Sequence, residues 1–173
     1  MGLSVNDILG NLNSGGIART SHYLINIQGV GEDVSMRATN VTLPGRSVQA
    51  ATYRDYGASR EIAYLPLYTQ SSVTFLCSSD LRERTAFTEW QDTIIGNHRT
   101  GATGYADPFE AGYYNDYVRS VDIQQMDTTG ATTFTCQLIE AYPRSVGDIT
   151  YSYASEEIAT FSVQFQFRYF IEK

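Results

Sequence analysis

Few residues in this chain are of a type that could do chemistry. It has two histidines, His22 and His98. His22 falls on a predicted strand, and His98 follows a predicted helix end in Asn97-His98-Arg99. Neither has a partner at metal-ligand spacing or a base-and-nucleophile arrangement. Paired carboxylates would suffice for glycoside hydrolysis. Glu156 and Glu157 are adjacent, so on a strand they point to opposite faces. Asp122 and Glu140 lie on predicted neighbouring strands, where the sequence alone does not bring them together. Tyr113, Tyr114, Tyr117, Tyr151 and Tyr153 could form a sugar-stacking platform, which makes a carbohydrate-binding β-sandwich the alternative of another class. Interface packing and strand propensity explain the same tyrosines. Gly101-Ala102-Thr103-Gly104 is too loose for a phosphate loop, and neither a nucleophile elbow nor a dinucleotide fingerprint occurs. No cofactor or metal is implied, and the reading is of a protein that is not an enzyme.

Cys77 and Cys136 alternate with apolar neighbours in Val73–Phe75–Cys77 and Phe134–Cys136–Leu138, which predicts buried free thiols. The 173 residues suit one domain, 1–173, with a sizeable core. Net charge is −7, and it is uneven. Residues 1–105 carry nine acids against eight bases; residues 106–173 carry ten against four. Nucleic-acid affinity needs clustered positive charge, and none is present. No apolar run approaches the ~18 residues of a membrane span. The N-terminus has no basic region ahead of Asp7, which is unlike a signal peptide and points to a cytoplasmic site of synthesis.

The elements that would position these residues are mostly strands. Val5, Ile8, Leu9 and Leu12 recur at helical spacing after Ser4, predicting a short amphipathic helix within 1–16. Tyr23–Ile27 alternates, and a return over Val34–Ala38 would complete a hairpin. Ser47–Tyr53 and Glu61–Tyr64 predict a long hairpin over 45–64, polar on both faces; in isolation it has little to hold it in water. Val73–Cys77 is a strand. Arg82–Ile95 is a helix, with Asp80 as its cap and Phe87 and Trp90 as core anchors. Residues 97–116 form a long irregular loop. Tyr117–Met126 and Thr132–Ala141 pair around Asp127-Thr128-Thr129-Gly130. Pro143–Gly147 is a turn and Ile149–Tyr153 a short strand. The last strand buries one face, with Phe161 and Phe165 as anchors. The sum is a mainly β, two-sheet antiparallel barrel or sandwich with one flanking helix and a protruding hairpin. Its surplus of strand edge is a liability in a monomer and an asset in a closed ring of copies.

Three segments resemble the tail tube protein family of contractile-tailed bacteriophages. They are Met36-Arg37-Ala38-Thr39 running into Leu43-Pro44-Gly45, the helical Phe87-Thr88-Glu89-Trp90-Gln91, and Glu140-Ala141-Tyr142-Pro143-Arg144-Ser145-Val146-Gly147-Asp148-Ile149 with Glu156 to Phe161 beyond it. The resemblance implies hexameric rings stacked helically into a hollow cylinder. A contractile sheath would surround it, genomic DNA would pass through its lumen unbound, and baseplate and tape-measure proteins would be partners. A baseplate tube initiator, a tube terminator or the tube subunit of a bacterial injection machine would share the fold. It implies a virion tail component assembled in the host cytoplasm, with no membrane insertion. Residues 1–16 and the 45–64 hairpin would mediate ring stacking, through Arg46, Arg54, Asp55 and Arg60. Asp122, Asp127 and Glu140 would be lumen-facing acids that repel phosphate, over about the 8 Å Debye length at physiological salt.

Overall fold

The computed structural model describes residues 18–96, 111–153 and 158–173. The predicted helix within 1–16, His98, Glu156, Glu157 and most of the 97–116 loop lie outside them. The described chain is mainly β, in two antiparallel layers with a separate hairpin. Alternation in Tyr23–Ile27 (β1) puts Ile25 and Ile27 on one face, opposite Ile123 and Val121 of Arg119–Met126 (β6). β6 turns through Asp127–Gly130 into Thr132–Val146 (β7). Ala38–Val41 (β2) pairs with Ser71–Leu76 (β5), and β5 with Thr160–Gln166 (β8). The 15-residue β7 belongs to both layers. Its first part lies between β6 and the terminal Tyr169–Glu172 (β9), and its last part, from Tyr142, pairs with β8. The passage between layers is marked by Glu140 in the left-handed region (φ 54) and by a register shift between Pro143 and Ser145.

Both layers contribute to one core. Ile25, Ile27, Val121, Ile123, Cys136 and Leu138 come from the first, Val73, Phe75, Phe161, Val163 and Phe165 from the second. The helix Arg82–Ile94 (α2) sets Phe87 against Phe75, Phe161 and Phe165, and Trp90 against Phe165. Trp90 Nε1 donates to the Tyr117 carbonyl (2.7 Å), and the Arg119 guanidinium lies 4.5 Å from its ring centre. Buried Glu83 ties this helix to the sheet, accepting from the Ser78 N–H at 3.0 Å and pairing with Arg37 at 3.2 Å. Burial alone would raise the Glu83 carboxyl, but these partners hold it below the usual carboxylate range.

Several local expectations are corrected. Residues 32–35 form a short helix (α1), not a returning strand. A hairpin would have kept the chain in β1's layer; α1, with Glu32 and Asp33 in its first turn, carries it across to β2 in the other. Asp80 does not cap α2. Leu81 occupies that position in the left-handed region without a side-chain bond, and Asp80 accepts from Ser78 Oγ instead. Pro143 continues β7, because a bulge needs no donor there. Residues 147–153 form no strand. The 97–116 segment is anchored at its far end, where Ile95 bridges Ala111 and Gly112 donates to the Ile94 carbonyl. A Cβ on Gly112 would collide with the Thr93 carbonyl oxygen. The short helix Tyr114–Tyr117 (α3) follows.

Candidate assembly surface

Among the described residues, Arg46–Tyr53 (β3) and Arg60–Tyr68 (β4) pair only with each other. Every residue of β3 is exposed, and every residue of β4 except Tyr68. The register sorts their side chains. Gln49 faces Leu65, Ser47 faces Leu67 and Ala51 faces Ile62, so Ile62, Leu65 and Leu67 share one face. A bulge between Gln49 and Ala50 keeps that face continuous. The three are 45–53% exposed. The hairpin is therefore not polar on both faces as the sequence suggested; it carries an apolar stripe. The signal was Ile62, Leu65 and Leu67 themselves, whose phase the bulge hides from a strict period of two.

Arg46, Arg54, Asp55 and Arg60 lie on this hairpin and its turn, and among the described residues none forms an ion pair. The body is different: Arg37–Glu83, Arg82–Asp33 and Arg168–Glu140 are paired. Further free edge exists there. Among the described strands β1, β2 and β9 each have a neighbour on one side only. The layered sheet does not close; the Tyr23 hydroxyl of β1 donates to the Ala38 carbonyl of β2 at 2.9 Å.

The three candidate acids are strung along the β6–β7 ladder, not gathered. Asp122 is half-buried opposite Gln137, and its Oδ1 has no hydrogen-bond partner. Asp127 starts the turn and accepts from the Thr128 N–H. Glu140 accepts from the Tyr114 hydroxyl (2.9 Å) and Arg168 (3.0 Å), which hold its carboxyl below the usual range. Burial and that same bond push Tyr114 up to about 12. The tyrosines form no flat platform: Tyr114 meets Tyr117 edge-on, and Tyr117 meets Tyr142 edge-on. Phe87, Trp90, Phe161 and Phe165 all lie in the core. Cys77 and Cys136 are free, and burial pushes the Cys136 thiol up to about 11. Among the described residues no three His, Cys, Asp or Glu side chains converge as a metal group would, and no helix is long and apolar enough to cross a membrane.

Solved structures share this fold at low identity. The chain is similar to one in the sheath/tube terminator of the PVC extracellular contractile injection system, with TM-score 0.68, 14% identity, and 91% of this chain and 97% of that one covered. It is similar to one in the PVC sheath-tube complex, with TM-score 0.67, 11% identity and 99% of each chain covered. A chain of the anti-feeding prophage tube-terminating cap gives TM-score 0.68 at 14% identity over 91% of each. No curated protein matches in sequence. The model of one family, described as phage tail tube protein, matches residues 8–173. A match over nearly the whole length, on a fold with open edges and an unpartnered hairpin, makes this chain a member of the phage tail tube protein family.

Proposed function

We propose that this chain is the structural subunit of a phage tail tube, working by assembly and not by catalysis. Copies form a ring, rings stack into a hollow cylinder, and the cylinder conducts the genome inside a contractile sheath. The observation that carries this reading is the family match over residues 8–173. The likeness to a chain of a sheath-tube complex, over 99% of both chains, supports it. A baseplate structure with a similar chain was solved with six-fold symmetry, which favours hexameric rings and contact with a baseplate. Glu140 is already paired with Arg168, so an acidic lumen would rest on Asp122 and Asp127. The tube would form in the host cytoplasm and end as part of the virion tail. A tube terminator is the second reading, favoured by the similarity to a terminator and a cap.

Negative-stain microscopy of purified full-length protein over a concentration series tests the proposal. Rings or cylinders are the expected result. Monomers at every concentration and salt, with no incorporation onto baseplates, would overturn it. Isolated rings that cap tubes without extending them would select the terminator.

A further inference from the structure

Because a helix and not a strand follows β1, a pocket opens where α1 packs against it. Glu32, Ser35 and Met36 stand three and four residues apart, on one face of that short helix. In β1, Leu24 and Asn26 share the outer sheet face, and Gln124 of β6 lies directly opposite Leu24. Together with Ile25 these residues enclose about 200 Å³. That is below the ~300–1,000 Å³ of sites for drug-sized molecules, so it suits one group of side-chain size.

The pocket is short of donors. Ser35 lines it, is only 5% exposed, and its Oγ has no hydrogen-bond partner. A buried hydroxyl left unpaired is costly and points to a missing partner. Glu32 is exposed, and among the described residues it forms no ion pair, whereas its neighbour Asp33 meets Arg82. Asn26 and Gln124 carry amide oxygens that can accept. Asp122, opposite Asn26 on the same face, lies outside the lining but adds a second unpartnered oxygen to the negative field. Lys173, further along that face, donates to Gln137. Acceptors without donors, one carboxylate and an aliphatic wall of Leu24, Ile25 and Met36 describe one ligand class. We propose that this pocket binds an organic cation with an alkyl stem, its guanidinium or primary ammonium head donating to Glu32 and to Ser35 Oγ. A metal ion would want more carboxylates, and among the described residues no three His, Cys, Asp or Glu side chains converge. The same head occurs on a free amine or guanidine and on a basic side chain of another polypeptide.

Met36, one of three methionines, reports occupancy by NMR in the full chain isotope-labelled at its methionine methyls. n-Butylguanidinium should move the Met36 signal along a saturating curve. Its neutral isostere n-butylurea should bind about fivefold more weakly, the scale of one partly exposed ion pair. Glu32→Gln should erase that preference. Ser35→Ala should weaken n-butylguanidinium and leave the melting temperature unchanged or higher, because it removes an unpaired hydroxyl. The peptide acetyl-Gly-Arg-Gly-amide separates the sources: binding as tight as n-butylguanidinium assigns the pocket to a basic side chain, and much weaker binding assigns it to a free cation. A shift linear in probe concentration throughout, an equal response to n-butylurea, or indifference to both substitutions overturns the proposal. None of these readouts requires assembly, so their failure leaves the tube reading standing.

Discussion

The sandwich and the hairpin are built from the same kinds of residue and end in opposite states. Val73, Val163 and Phe165 are fully buried, whereas Val48, Ile62 and Leu65 stand about half in water. Strand propensity and backbone pairing are satisfied in both regions. What differs is the partner for the apolar face: a second layer and a helix in one case, nothing among the described residues in the other. Burial at ~25 cal/mol per Å² drives the sandwich to fold alone. The same term, unspent on the hairpin, is left to drive association.

Trp90→Ala strikes the self-sufficient side hardest. It opens a cavity between α2 and Phe165 and strands the Arg119 guanidinium, so a loss of ~3–5 kcal/mol is expected in urea unfolding. Glu83→Gln follows, costing about 1.5–3 kcal/mol at neutral pH because charge-assisted bonds to Ser78 and Arg37 are lost. The folded Glu83 carboxyl sits below its ordinary value of 4.5, so its contribution is complete above that pH and disappears as pH falls through the folded value. The gap between wild type and Glu83→Gln should therefore close in acid; a gap constant from pH 7 to pH 3 contradicts the role given to this residue. Gly112→Ala forces a Cβ onto the Thr93 carbonyl and should cost ~1–3 kcal/mol, read by thermal melting. At the bottom of the scale stands Arg54→Glu with Arg60→Glu. Stability should move by less than ~0.5 kcal/mol, yet stacking should fail in electron micrographs. Normal tubes from that double variant would put the two regions on an equal footing and remove the contrast.

How much of this was legible in the sequence depends on the range of the interaction. The final strand, α2 and the long hairpin were readable because their periodicity is local and strong. The β1–β2 hairpin was misread since nothing local says that Ile25 prefers Ile123, almost a hundred residues away. Pro143 reads as a turn until a register shift removes the need for its missing donor. Asp80 had the right type for a cap, but left-handed Leu81 takes the cap position and Asp80 lies against Ser78 Oγ instead. Arg46, Arg54, Asp55 and Arg60 could be placed on the hairpin and its turn from the strand pattern, whereas ring contact through them came from the resemblance. Ile62, Leu65 and Leu67 could not be given a common face without the bulge.

One strand ties the two layers to a common fate. Because β7 lends its first part to β6 and β9 and its last part to β8, neither layer can be peeled away while the other keeps all its neighbours. Amide protons at Val121 and at Val163, on opposite layers, should exchange with deuterium through the same global opening, as one cooperative block. A subunit built this way resists partial unravelling and gives way, when it does, all at once.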